Sequence, residues 1–252
     1  MADDRVCLVT GAGRGIGAAV AGRLSARGHR VALCARSEDD LRTISTGLPG
    51  TSLVVPADLL ADGAVDAVFA AVENAWGPVE VLVANAGAGS SAPIVKTSDA
   101  AWQYMLDLNL TMPFRCVRRA LPAMTTAGWG RIVVIASVAA KRGEPYVAAY
   151  TAAKHGVLGL VRSAAAETAT SGVTVNAVCP AYVDTPMTDS ATEAIVAATG
   201  RSRDEARAVL AAKQPIGRLI TVDEVADAVE FCVLNPAISG QGINVDGGAV
   251  QS

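Results

Sequence analysis

Tyr150 and Lys154 stand four residues apart in AAYTAAKHG, a stretch of good helix formers. That spacing places a phenol and an ammonium on one helix face. A cation beside a phenol stabilises the phenolate and lowers its pKa, which suits it to acid–base work near neutrality. Ser137 closes the apolar run RIVVIAS thirteen residues earlier and adds a hydroxyl at the same end of a strand. An isolated Tyr/Lys pair at this spacing is ordinary helix surface. Its combination with Ser137 and a phosphate-cradling turn is far more specific.

That turn is TGAGRGIG, from Thr10 to Gly17, directly after the apolar run VCLVT. Gly11, Gly15 and Gly17, with Ile16 between the last two, lie between a predicted strand and a predicted helix. Glycine lets the backbone turn tightly, approach a pyrophosphate and keep the helix close to the sheet. The helix N-terminus beyond it offers N–H donors and a favourable dipole to an anion. Strand two ends in ALCARSEDD, where the first charge is Arg36 and not an acid. Arg14 and Arg36 together suit the 2′-phosphate of NADP(H), because guanidinium forks match phosphate geometry. Asp58 follows strand three, placed either to meet an adenine amino group or to cap the next helix.

These groups need a scaffold that brings strand ends together. Predicted strands are 6–10, 30–34, 52–56, 80–84, 131–136, 173–178 and 242–245. Helical patterns fall near 15–27, 37–46, 63–76, 101–125, 150–168 and 222–234. Strands that are apolar at nearly every position suit a sheet covered on both faces. The expectation is α/β: one doubly wound Rossmann-type domain over 1–252, with a seven-stranded parallel sheet flanked by helices. The Ala-rich stretch 182–216 interrupts the rhythm at the carboxyl edge and is expected to form a substrate lid.

Composition narrows the function further. About half of the 252 residues are apolar (51%), enough for a sizeable core. A net charge of −3 leaves no basic excess for a nucleic-acid surface. Five dispersed cysteines, Cys7, Cys34, Cys116, Cys179 and Cys232, suit a reducing compartment. The acidic start MADDRVCLVT is unlike a signal peptide, and no apolar run reaches membrane-spanning length. A cytoplasmic protein is expected, with no metal, membrane or nucleic-acid partner.

The sequence resembles the short-chain dehydrogenase/reductase family along essentially its whole length. The resemblance rests on TGAGRGIG, ADL at 57–59, NAG at 85–87, Asn109 in LDLNL, Ser137, YTAAK at 150–154, NAVCP at 176–180 and DTPM at 184–187. It implies that Tyr150 protonates a carbonyl oxygen, that Ser137 bonds that oxygen, and that Lys154 holds the nicotinamide ribose. Asn109 would keep open a helical kink that supports a water-linked proton relay through Lys154. Cofactor contacts would come from Gly11, Arg14, Gly15, Ile16, Gly17, Arg36, Asp58, Leu59, Asn85, Ala86 and Gly87. Tyr150, Lys154, Pro180, Val183 and Thr185 would complete them, with Val183 binding the carboxamide through its backbone. The family usually has glycine after NAVCP; this chain has Ala181. A homotetramer is also implied.

The resemblance implies an NADP-dependent oxidoreductase reducing a ketone or oxidising the matching secondary alcohol. Substrate choice would come from 88–96, 138–147 and the lid. The C-terminal third is similar to 3-hydroxybutyrate dehydrogenases, but Ser90, Ser91, Ala139 and Val147 offer no cation where those enzymes bind a small carboxylate. Lys141 and Arg142 either meet an anion at the pocket mouth or lie on a solvated loop, the latter being the expectation. Strand two and VNAVCP are similar to aromatic polyketide ketoreductases and 3-oxoacyl carrier-protein reductases, so a thioester-linked ketone is an alternative substrate. A non-catalytic dinucleotide sensor is the competing class; it tends to lose the tyrosine or lysine, and both are present.

Overall fold

The computed structural model describes residues 4–251. Residues 1–3 of the acidic start, and Ser252, lie outside the described residues. Seven parallel strands run β1 (Val6–Thr10), β2 (Arg30–Ala35), β3 (Ser52–Pro56), β4 (Val81–Ala84), β5 (Gly130–Ile135), β6 (Val173–Pro180) and β7 (Gly242–Val245), in the spatial order β3-β2-β1-β4-β5-β6-β7. Strand order reverses between β1 and β4, and ligands of open α/β sheets bind at such a switch point.

Both faces of the sheet are covered, as its nearly continuous apolar strands require. Alternate residues point to opposite faces. Leu8, Leu82, Ile132 and Val175 join one core with residues of helices α3 (Ala64–Trp76), α5 (Met112–Ala127) and α6 (Ala148–Glu167). Val9, Leu33, Val83 and Val133 join the other with residues of α1 (Gly15–Ala26), α2 (Glu38–Gly47) and α9 (Val222–Leu234). Phe69 of α3 is among the largest fully buried side chains. Among the described residues, no helix is long and apolar enough to cross a membrane.

The structure differs from the predicted elements at informative places. The single helix expected over 101–125 is α4 (Asp99–Leu106), a π-helical turn at Asp107–Thr111, and α5. A π-turn inserts an extra residue into the helical ladder, which hydrophobic periodicity barely registers. Gly63 is not helical but caps α3 with φ of 72°. Asp58 therefore does not cap that helix; its Oδ1 accepts from the Leu60 N–H at 3.1 Å in a local turn. Residues 182–216 hold two helices, α7 (Pro186–Thr199) and α8 (Arg203–Ala212). The second starts with a reciprocal Ser202/Glu205 cap, which satisfies two otherwise orphaned N–H groups. Ala181 donates its N–H to the Val245 carbonyl at 3.1 Å, and Tyr146 is the one non-glycine with positive φ among the described residues. Position 181 thus accommodates alanine without backbone strain.

Helix α1 sits tightly on the β1 turn. A Cβ built on Gly17 would clash with the Gly11 carbonyl and come within 2.6 Å of Asn85 Nδ2. Backbone cannot yield there as a flexible side chain can. Gly17→Ala should therefore lower unfolding free energy by at least about 1–3 kcal/mol, the usual cost of overpacking. Urea unfolding checks this; an unchanged midpoint contradicts the packing account.

Candidate active site

The carboxyl ends of β1 and β4 are pinned to each other by Thr10. Its buried hydroxyl accepts from the N–H groups of Asn85 and Ala86, each at 3.0 Å. Asn85 returns the contact, donating Nδ2 to the carbonyls of Thr10 (2.9 Å) and Gly11 (3.1 Å). Gly11 adopts φ of 66°, and a Cβ there would lie 2.8 Å from Asn85 Nδ2. Two expected cofactor segments, 10–17 and 85–87, therefore form one cradle. Sequence reasoning quoted Thr10 in the motif but gave it no role; a threonine immediately before the first glycine was the available signal.

Arg14 and Arg36 are both exposed and flank this cradle's outer edge in sequence, one in the turn and one just past β2. Neither side chain makes a hydrogen bond or ion pair with the described residues. Arg14 is the N-cap residue of α1 but contributes no side-chain cap. Ile16 lies in the first turn of α1, and Leu59 is buried beside exposed Asp58. On the far side of the switch point, Pro180 ends β6. Val183 forms an isolated parallel bridge with Ile220, made by Ile220 N–H to Tyr182 carbonyl and Asp184 N–H to Ile220 carbonyl. The Val183 N–H takes no part in that bridge. Its carbonyl accepts from the hydroxyls of Thr185 and Thr188.

The residues fit a dinucleotide on these observations: a turn in which added Cβ atoms would clash, two uncommitted guanidiniums, and an unengaged N–H at Val183. Asp58 is the weaker member, because its carboxylate is already engaged by Leu60.

Ser137, Tyr150 and Lys154 meet beside this cradle. Ser137 follows β5 in an extended conformation and its Oγ accepts from Ala139 N–H at 3.1 Å. Tyr150 and Lys154 share the first turns of α6. Burial pushes the Tyr150 phenol up to about 12, against the opposing effect of its hydrogen bond with Ser137. Burial lowers Lys154 to about 8; its Nζ donates to the Ile135 carbonyl at 2.8 Å. The net shift of the phenol is therefore upward, opposite to the lowering by Lys154 that the spacing predicts. The ammonium is held toward β5, over the Tyr150 ring at 5.5 Å, while low polarity around the phenol dominates.

Asn109 is fully buried in the π-turn. Its Nδ2 donates to the carbonyls of Ala88 (3.0 Å) and Met105 (3.1 Å), which leaves Oδ1 buried without a protein partner. A Cβ on Gly87 would lie 2.8 Å from that Oδ1 and 3.8 Å from Lys154 Nζ. The amide oxygen and the ammonium thus flank the same glycine. His155 bonds the Thr151 carbonyl at 2.9 Å and is exposed, away from these groups.

The expected substrate walls also carry corrections. Lys141 donates to the Gly242 carbonyl at 2.7 Å and Arg142 to the Ala249 carbonyl at 2.8 Å, so neither is a solvated loop residue. Both tie the post-Ser137 loop to β7 and the chain end. Segments 88–96 and 138–147 meet where Ala92 N–H donates to the Tyr146 carbonyl at 2.7 Å. Tyr146 itself is exposed, with φ of 69°. Three residues went unnoticed in the sequence: Glu144, Tyr182 and Lys213. Lys213 Nζ lies 3.2 Å from the Tyr182 hydroxyl and 3.5 Å from Glu144 Oε2.

Comparison with known proteins follows the same lines. The family model described as short chain dehydrogenase matches residues 5–196. The chain is 39% identical to the 3-oxoacyl-(acyl-carrier-protein) reductase MabA of Mycobacterium tuberculosis, over 97% of this chain and 92% of that protein. It is also 39% identical to the cis-4-hydroxycyclohexanecarboxylate dehydrogenase of Sinomonas cyclohexanicum, over 97% and 96%. A crystal structure of an actinorhodin polyketide ketoreductase variant with NADPH superposes with a TM-score of 0.93 at 39% identity, covering 99% of this chain and 98% of that one. The chain belongs to the short chain dehydrogenase family. It is an oxidoreductase of the CH–OH/C=O couple.

The buried ammonium has a consequence for stability. Lys154 carries a lower pKa folded than unfolded, so burying its charge costs stability at every pH below about 8. As pH rises from about 8 toward the ordinary lysine value, the unfolded state holds the extra proton and this cost disappears. Relative to Lys154→Met, the unmutated protein should gain stability across that window. Paired urea titrations in a Cys179→Ser background check the difference, because Cys179 is the thiol coupled to Lys154 and the other buried thiols are common to the two proteins; a difference that is flat with pH contradicts it.

Proposed function

We propose that this protein is an NADPH-dependent ketoreductase. The observation that carries the reading is the meeting of Ser137, Tyr150 and Lys154 at the sheet's carboxyl edge, beside the Gly11–Gly17 cradle. Tyr150 keeps its proton throughout the neutral range, since burial holds its phenol near 12. It is therefore poised to donate to a carbonyl oxygen, the need of the reductive direction. Ser137, near enough to that phenol to oppose its upward shift, is placed to give the second hydrogen bond to the same oxygen. NADPH, when bound, supplies the hydride; the protein supplies geometry and a proton.

Lys154 would hold the nicotinamide ribose, and the buried Oδ1 of Asn109 is the acceptor that a water-linked relay to Lys154 requires. The Val183 N–H would orient the carboxamide, with Thr185 supporting it. Arg14 and Arg36 would hold the 2′-phosphate. The named relatives support a 3-oxoacyl or polyketide-type ketone as substrate, free or thioester-linked. In this reading α7 and α8 act as the lid.

Tyr150→Phe removes only the transferable proton and keeps the ring. Turnover should fall by about 10²–10⁴, the usual worth of a positioned acid, while NADPH still binds. Retention of most activity would sink the assignment.

Cofactor choice gives an independent test. A charge-assisted hydrogen bond contributes about 1.5–3 kcal/mol, so NADPH should be favoured over NADH on the order of a hundredfold. Arg36→Ala should erase most of that margin and leave NADH use nearly unchanged. The ratio of kcat/KM with the two cofactors measures it; a native preference for NADH contradicts it.

A further inference from the structure

The seam between α8 and the loop preceding Tyr150 contains a small polar network outside the Ser137–Tyr150–Lys154 group. Glu144 lies on that loop, Lys213 just past α8, and Tyr182 two residues beyond β6. Glu144 accepts from Arg142 at 2.6 Å and pairs with Lys213 at 3.5 Å, with its side chain only 15% exposed. The neighbouring Gln214, almost fully buried, locks the Tyr182 backbone on both sides. Its Oε1 accepts from Tyr182 N–H at 3.1 Å, and its Nε2 donates to the Tyr182 carbonyl at 3.2 Å. Tyr182 is thus fixed in backbone and in side chain.

Donor and acceptor arithmetic then orients the Tyr182 hydroxyl. An ammonium has donors only, so in the 3.2 Å contact Lys213 donates and the phenolic oxygen accepts. The single O–H of Tyr182 is left to point elsewhere. Accepting a bond from a cation also makes that O–H a stronger donor. Among the described residues, no acceptor takes this proton. Tyr182 follows the carboxyl end of β6, next to the end of β5 that leads into Ser137, and Lys213 ties its hydroxyl to Glu144 on the loop that leads into Tyr150, so Tyr182 stands at the same edge of the sheet as the reacting groups.

Building on the ketoreductase reading, we propose that Tyr182 donates to a second oxygen of the substrate, with Lys213 and Glu144 as the positioning pair. The substrate class this selects is the 3-oxo ester or thioester, whose acyl oxygen lies two carbons beyond the ketone. A simple ketone has nothing for that donor. The Glu144 carboxylate offsets the Lys213 charge, so the arrangement recognises a neutral oxygen and not a free acid.

The test compares ethyl acetoacetate with 2-heptanone, a chain of equal length in which methylenes replace the ester group. Tyr182→Phe should lower the ratio of kcat/KM for ester over ketone about tenfold, through KM for the ester, in line with the loss of one strengthened hydrogen bond. Lys213→Met should lower the same ratio severalfold, and Lys213→Arg should restore most of it, since a guanidinium also donates. NADPH affinity, followed by nucleotide fluorescence, should stay within twofold of the unmutated protein and so report an intact fold. A ratio unchanged in Tyr182→Phe overturns the proposal while leaving the ketoreductase reading standing. If the unmutated protein reduces neither compound, that reading falls and this one with it.

Discussion

The Thr10 hydroxyl is the contact on which the site depends. In a parallel sheet, strands on either side of the switch point send their connections to opposite faces, so a crevice opens between their carboxyl ends. Left alone, the Asn85 and Ala86 N–H groups at that crevice would be unpaired, because β4 ends at Ala84. One buried hydroxyl accepts both of them. Unpaired buried N–H groups cost more than a formed bond contributes, so the clamp fixes how far β1 and β4 separate. Gly11 and Gly17 follow as consequences: once Asn85 is drawn onto the turn, neither position has room for a side chain.

The acid–base groups sit where the electrostatics oppose ionisation. Burial raises the Tyr150 phenol and lowers the Lys154 ammonium, so the structure holds a proton donor beside a weakly held cation. The Ile135 carbonyl accepts from that ammonium at the end of β5 and keeps it from being a stranded charge. The π-turn contributes in the same way. By breaking the helical ladder it releases the Met105 carbonyl to Asn109, which turns the amide oxygen toward Gly87 and Lys154. Lys154 and Asn109 are each bonded to backbone carbonyls and brought to either side of Gly87.

Much of this was legible in the sequence because chemistry imposes short spacings. Tyr150 and Lys154 must share a helix face, and Gly11 to Gly17 must join one strand to one helix, so each leaves a local signature. The parallel sheet announced itself in strands apolar at nearly every position. The π-turn was reached only through the family resemblance, which implied a kink at Asn109, because Leu106, Leu108 and Leu110 fit an ordinary helix nearly as well. Lys141 and Arg142 looked solvated because their partners are carbonyls on β7 and the chain end, and backbone acceptors have no sequence signature. The sign of the Tyr150 shift was missed for a related reason. Spacing records that a cation is near, while burial depends on everything packed around it.

Glu144, Lys213 and Tyr182 escaped for the same reason as the backbone carbonyls: their contacts join segments distant in sequence. The catalytic chemistry needs fixed distances among groups that every substrate meets, so it is built on strand ends and one helix. Recognition of the remainder of a substrate can be built anywhere that reaches the same space. In the proposed reading it falls on the seam between the α7–α8 segment and the Ser137–Tyr150 loop, where the Gln214 amide holds the Tyr182 backbone on both sides and also donates to the Arg218 carbonyl. An almost fully buried glutamine is costly unless all its bonds are made, and this one makes three. Those bonds fix the position of Tyr182 against the turn that carries Arg218. The fold thus separates two demands, a rigid reacting centre on the strand ends and a tunable second contact on the seam, and lets the latter change without disturbing the former.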